Sequence, residues 1–465
     1  MAVMGWGRFK SFWRGHPVLF RIALSLFIGL ALEITVNNFP FPVLKFVRQT
    51  ADDTADVMTR FSVPAKTYSA SAPRFAFINI DEKTWLSWGA PLVTPRDKIA
   101  MLLGRVAESK PAIIILDVDL SFHDDPNTEP ALNSFLQHYP ATAPPLVLVR
   151  SLEPSASSIH SKRRLTPYET STDKQNIFWA VPSFERGDDA VVRRWQLASV
   201  ACKDTAPLVI PSLQLQAVWL WLHKPQALLD TALSPLRPGN CDDPAPNGDI
   251  KIKLKGDNGP IVEINGADPS SRIIYTMPWV SDALVQGPEM PGGSFKVVVR
   301  NADTVSRIQP GDGVPGIEGS IAIIGGSFAE SGDWYQTPLG DMPGTAVLIN
   351  AIDALAQNGT PQEPTWGKRL PISLGFILFV SICVGLFRAP VAAFLSLLGI
   401  GGLMFATLSM FKSGLILSLA IPSLGILLAD FILSFLHMIE GIMDKGWRWI
   451  FKPSPAPDRN HEEET

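Results

Sequence analysis

Four aspartates hold most of the chemical interest in this chain: Asp81, Asp117, Asp119 and Asp333. Asp81 closes the dense apolar run Phe75–Ile80 (FAFINI). Asp117 and Asp119 follow the run Ala112–Leu116 (AIIIL), and Asp333 comes shortly after Ile321–Ile324. Short runs of this kind read as buried parallel strands. The C-terminal edge of such a sheet is where open α/β folds bind ligands, and carboxylates converging there can hold a hard cation or a cationic ligand through oxygen. The competing reading has the same carboxylates capping the helices that follow and pairing with Arg96, Arg193 or Arg194. If Asp81, Asp117 and Asp333 meet, their like charges repel unless an arginine or a cation neutralises them. Arg96, at the start of the helix after the first strand, is the expected neutraliser. The alternative is a pocket between Asp81, Asp119 and Asp333 with Arg96 turned away. The expected ligand-binding set is therefore Asp81, Arg96, Asp117, Asp119 and Asp333, with any metal left unassigned.

Other candidates are weaker. Gly325-Gly326-Ser327 lacks the GxGxxG and GxxxxGK(S/T) spacings that cradle phosphate, and it reads as a tight turn. Ser327 stands in no GxSxG context. His123, beside Asp124 and Asp125, reads as part of a polar surface loop rather than as a metal ligand. No enzyme activity and no cofactor is expected. A net charge of −4 and a pI near 6.0 leave no electrostatic footprint for nucleic acid.

The elements that position the aspartates follow an α/β order. After the Phe75–Ile80 strand, Thr94-Pro95 opens a helix whose Ile99, Leu102, Leu103 and Val106 recur at helical spacing. Ala112–Leu116 is the second strand, Leu132–Leu136 a helix and Leu146–Val149 (LVLV) a third strand. That alternation points to a doubly wound sheet. Residues 150–210 are less legible. Leu213–Leu222 reads as an apolar helix, Ile250–Tyr275 as short antiparallel strands, Phe295–Val299 and Ile321–Ile324 as further strands, and Pro343–Asn358 as an amphipathic helix. Phe46–Phe61 also reads as a helix, with Phe46, Ala51, Val57, Met58 and Phe61 on one stripe and Asp52, Asp53 and Asp56 opposite.

Composition sets the remaining organisation. Of 465 residues, 46% are apolar and only 18% charged, with a mean hydropathy of +0.16. Four runs are long enough to span a bilayer as helices: 18–36, 370–387, 389–411 and 415–436. Arg8, Lys10, Arg14 and Arg21 precede or open the first; Arg388 marks the turn between the second and third; Lys445, Arg448 and Lys452 follow the last. The positive-inside rule then puts segment 1–17 and tail 437–465 in the cytoplasm and segment 37–368 outside. Cys202 and Cys241 are the only cysteines in that outer segment. In an oxidising compartment they are expected to be bonded.

FAFINIDEKTWLSWGAPLVTPRDKIAMLLGRVAESKPAIIILDVDLSFHDDP resembles the opening of the CHASE type-2 domain, an extracellular sensing domain attached to cyclases and histidine kinases. DDAVVRRWQL and IAIIGGSFAESGDWYQTPLGDMPGTAVLINAIDAL resemble its later strand and its closing motif, the latter with Asp333, Thr337-Pro338-Leu339 and Pro343-Gly344 in order. The resemblance runs over about residues 40–436. It departs at Trp88-Gly89-Ala90-Pro91, where the family commonly carries Trp-Pro-Trp. Only 29 residues follow Leu436, so no cytoplasmic kinase or cyclase is expected within the chain. The fold class expected is an α/β extracytoplasmic domain with a largely parallel sheet and an antiparallel insertion, plus four transmembrane α-helices. The resemblance implies a bacterial inner-membrane, multi-pass, sensor-like protein with its large domain in the periplasm. It would bind an unknown small ligand or envelope component, form a homo-oligomer and signal through a separate partner. A non-signalling structural or assembly subunit of an envelope complex is the alternative.

Overall fold

Six short apolar runs form one parallel sheet: β1 (Phe75–Ile80), β2 (Ile113–Asp117), β3 (Leu146–Val149), β4 (Ile177–Ala180), β5 (Val297–Asn301) and β6 (Ile321–Gly326). Their spatial order is β5-β1-β6-β2-β3-β4, and every neighbouring pair is parallel. The last strand of this sheet in chain order thus lies between its first two. Parallel strands are covered on both faces, which is why β1 buries all six of its residues and β3 all four.

Successive side chains point to opposite faces of a strand, and the two faces feed two cores. Phe75, Phe77, Ile113, Ile115 and Val147 join the helices Leu213–Trp221 and Gly344–Asn358 in one. Ala76, Ile78, Ile114, Leu116 and Leu148 join Arg96–Glu108 and Glu129–Gln137 in the other. The result is three layers, helices on both sides of the sheet.

The computed structural model describes residues 17–38, 45–62, 69–123, 127–155, 158–255, 259–279, 290, 295–361 and 366–387, with isolated helical positions between 391 and 435. The chain divides into two units, one of residues 1–55, 363–411 and 415–465, the other of residues 56–362 and 412–414. The sheet lies in the second. Residues 150–210, poorly legible in sequence, hold two small sheets. Leu152–Glu153, Ser161–Arg163, Ala198–Lys203 and Ala206–Pro211 form one; Phe184–Arg186 and Val192–Gln196 form the other with Ser270–Arg272. These strands are two to six residues long and mix buried with half-buried positions, too short for a clear period-2 pattern. Cys202 and Cys241 are joined as a disulfide with Cα atoms 6.1 Å apart.

Three expectations change. The Gly344–Asn358 helix is not amphipathic, because every residue from Gly344 to Leu355 is buried. The Lys45–Ser62 helix turns Val57 and Phe61 outward and buries Asp56. Asp56 accepts from Arg193 Nε at 2.8 Å and from Arg272 Nη2 at 2.7 Å. Arg193 also grips Asp189 through both Nη atoms, so it is engaged away from the strand-end aspartates. Burial opposes its charge, but the hydrogen bonds it donates to Asp189 and Asp56 outweigh that and raise its pKa above the ordinary arginine value.

The third concerns the membrane. The run 18–36 lies in the helix Pro17–Asn38 and nearly all of 370–387 in Trp366–Leu386; the two pack on each other, Ile377 against Gly29. Among the described residues no helix is long and apolar enough to cross a membrane. Arg21 and Glu33 shorten the uncharged stretch of the first, and Lys368, Arg369 and Pro371 open the second. The expected spans 389–411 and 415–436 fall largely, and residues 1–16 and 437–465 entirely, outside the described residues.

One fully buried ion pair ties the core together. Lys296, just before β5, meets Asp353 of the Gly344–Asn358 helix at 2.6 Å, with neither side chain exposed. Thr276 Oγ1 donates to the same carboxylate at 3.4 Å. Removing one partner of such a pair strands the other charge, so Lys296→Met should cost about 3–5 kcal/mol. Lys296→Met with Asp353→Leu should recover most of that loss. Denaturant unfolding of the full chain checks both; equal instability of the single and double variants would contradict the pairing.

Candidate functional site

The C-terminal edge of the sheet opens into a cleft of about 650 Å³. It lies where the order of strands reverses around β6, the place at which open α/β sheets leave a crevice. Ile80, Asp117, Val149 and Gly326 bring the ends of β1, β2, β3 and β6 into its lining.

The strand-end aspartates separate into two roles. Asp81 caps the short helix Glu82–Ser87: its Oδ1 accepts from the Thr84 backbone N–H at 2.8 Å and from Thr84 Oγ1 at 2.6 Å. Asn301 Nδ2 donates to its other oxygen. Asp81 is absent from the cleft lining, and for this residue the capping reading holds. Asp117, Asp119 and Asp333 do line the cleft. Asp119 accepts from the Ser121 N–H at 2.8 Å.

Arg96, the expected neutraliser, reaches the loop that follows β2. Its side chain is fully buried, and its Nη2 donates to the backbone carbonyls of Asp119 and Phe122, at 3.2 and 2.8 Å. It braces the loop that follows β2. The loop's carbonyl acceptors are thereby met.

Asp117 and Asp333 form the centre of the site. Asp117 ends β2, opposite Gly325 of β6, and accepts from Thr345 Oγ1 at 2.7 Å. Asp333 precedes the hairpin Trp334–Thr337 and Gly340–Pro343, and its carbonyl accepts from the Gly344 N–H at 2.7 Å. Both carboxyls are thereby set against the first turn of the Gly344–Asn358 helix. Two glycines make this approach possible. A Cβ at Gly344 would lie 2.2 Å from an Asp333 carboxylate oxygen, and one at Gly325 would lie 2.1 Å from Thr345 Oγ1.

Proximity and burial govern the charges. Burial raises the Asp333 carboxyl to about 7, and the nearby Asp117 charge adds to this; a hydrogen bond with Tyr335 and the charge of Arg186 work the other way. Burial likewise raises Asp117 above the usual carboxylate range, against the Thr345 hydrogen bond. The Tyr335 hydroxyl is pushed up by its own burial and by Asp333. Two close, poorly solvated carboxyls whose proton affinity is raised can donate as well as accept, or receive a cation.

Sequence reasoning missed the apolar wall. Trp85 and Phe328 both line the cleft and stack with ring centroids 5.3 Å apart and planes 9° from parallel. Trp85 Nε1 donates to the Pro91 carbonyl at 3.1 Å. Thr345 was legible only through its setting: a glycine beginning a buried helix is a poor helix former and marks a close approach.

The folded chain holds the Asp333 proton more tightly than the unfolded chain, whose aspartate titrates near 3.8. The stability this gives is full below about 4 and is lost as pH rises through about 7. The full chain should therefore lose stability between pH 5 and pH 8, by at most about 1.4 kcal/mol per pH unit for one proton. Asp333→Asn should flatten that slope and melt higher than the parent at pH 8. A variant less stable than the parent at every pH would show that the ionised carboxylate is a needed partner instead.

The CHASE2 domain model matches residues 26–387 of the chain. No curated protein and no solved structure matches it. With most of its length covered, the chain belongs to the CHASE2 domain family, a family of extracellular sensory domains.

Proposed function

We propose that the chain is a membrane-anchored sensor of the bacterial inner membrane, whose periplasmic CHASE2 domain binds a small ligand in the cleft at the end of β1, β6, β2 and β3 and passes its state to a separate partner. The observation that carries this reading is the cleft itself. It combines a crevice at the strand reversal, two buried carboxyls with raised proton affinity and a stacked aromatic pair. Titratable groups perturbed by burial within a concave site are the usual candidates for a functional position.

Membrane anchoring draws on the smaller unit. Large apolar side chains there face outward, Phe27 at 69% exposure and Phe405 at 73%. Water disfavours such a surface and a lipid phase satisfies it. The four apolar runs and the Lys/Arg bias of their flanks support a multi-pass arrangement with both termini in the cytoplasm. The disulfide accords with an oxidising compartment for the outer domain. Self-association would let one bound ligand act on two copies of the chain.

A single labelling experiment addresses side and site together. Ser151 lines the cleft; Ser151→Cys in the full chain should react with a membrane-impermeant maleimide added to intact cells. The small-molecule fraction of the periplasm should slow that reaction. Labelling only after permeabilisation would overturn the topology, and an unchanged rate with the extract would overturn ligand binding in the cleft.

A further inference from the structure

The cleft is large and asymmetric in chemistry. Its volume of about 650 Å³ suits a small organic molecule rather than a bare ion. Among the described residues no group of three histidine, cysteine or acidic side chains is arranged to hold a metal. The size of the cleft favours an organic occupant over a hard cation alone.

The charge of that occupant follows from the lining. Four carboxylates face the cleft, those of Asp117, Asp119, Glu330 and Asp333, and its described lining includes no lysine, arginine or histidine. Two arginines stand on aromatic neighbours instead: Arg186 lies 5.1 Å from the Tyr335 ring centre and Arg164 5.1 Å from that of Phe122. Phe122 thus already has a cation on its ring. Trp85 and Phe328 stack on each other, and among aromatic side chains a tryptophan face attracts a cation best. Leu92 and Phe122, large apolar side chains of the lining, are also left exposed, at 105% and 52%. An apolar body seated in the cleft would cover them.

Resting on the reading of the cleft as a ligand site, we infer that its ligand is a small organic cation, an amine or quaternary ammonium with an apolar or aromatic body. The cationic head is placed toward Asp117 and Asp333, and the body lies against Trp85 and Phe328. The head supplies the countercharge that this carboxyl pair lacks from within the cleft, and the rings supply a surface that does not compete for hydrogen bonds.

Benzyltrimethylammonium is a suitable probe, with benzyl alcohol and benzoate as its neutral and anionic counterparts. Binding to the full chain is measured by calorimetry at pH 8, with melting temperature as a second readout. The probe should bind and raise the melting temperature, while benzyl alcohol and benzoate should do neither. Asp333→Asn and Trp85→Leu should each weaken binding by about tenfold or more. Should Trp85→Leu fail to fold, Phe328→Leu takes its place. Equal binding of benzyl alcohol, preferential binding of benzoate, or probe affinity unchanged in the variants would each overturn the cationic class. If the probe does not bind while periplasmic extract still protects Ser151→Cys, the cation inference falls and the cleft reading stands. If the extract gives no protection, the cleft reading itself fails.

Discussion

The arrangement of the site depends on where β6 lies. The chain builds β1, β2, β3 and β4 first, then travels through more than a hundred residues before β6 fills the gap between β1 and β2. Until it does, the two halves of the sheet share no strand. Its arrival sets Gly325 between Asn79 and Asp117 and delivers the Asp333 hairpin and the Gly344–Asn358 helix to the same edge. Closing so long a loop costs chain entropy. That cost is offset by burying Ile321, Ile323 and Ile324 together with most of the helix, at roughly 1.5–3 kcal/mol for each large apolar side chain.

Two kinds of buried acid coexist in the domain, and the difference between them is physical. Asp56 and Asp353 are buried against guanidinium or ammonium groups, Asp56 between Arg193 and Arg272 and Asp353 on Lys296. These pairs fasten Asp56 and the Gly344–Asn358 helix within the domain. Asp117 and Asp333 have hydroxyls for direct partners, Thr345 and Tyr335, and each is burdened by burial. Burial of a charge without a full countercharge is unfavourable. A fold that retains it at the mouth of a cleft holds in reserve an interaction that a proton or a cationic ligand can complete.

Much of the scaffold was legible because its signals are dense. FAFINI, AIIIL and LVLV announce strands covered on both faces, and Thr94-Pro95 marks a helix start that falls one residue from the observed Arg96–Glu108. The site was half legible. Strand-end position found Asp117, Asp119 and Asp333, but it placed Asp81 among them, because a helix cap and a ligand group occupy the same place in sequence. Arg96 has the charge and proximity of a neutraliser, yet carbonyl oxygens in the loop after β2 compete for it, and loop carbonyls leave no sequence signature. Trp85 and Phe328 stand more than two hundred residues apart, so only the placement of β6 beside β1 makes them a wall. Asp56 was assigned to the solvent face because periodicity measures burial and is blind to an arginine from a distant strand.

Asp117 and Asp333 share one buried, poorly neutralised environment at the edge of the sheet. Carbon-13 NMR of aspartate carboxyls in the full chain tests it most directly, with Asp117→Asn and Asp333→Asn assigning the two resonances. Asp333 should titrate near pH 7, and its midpoint should move down in Asp117→Asn. Both carboxyls titrating near the ordinary value of about 4, each indifferent to the other's substitution, would contradict it.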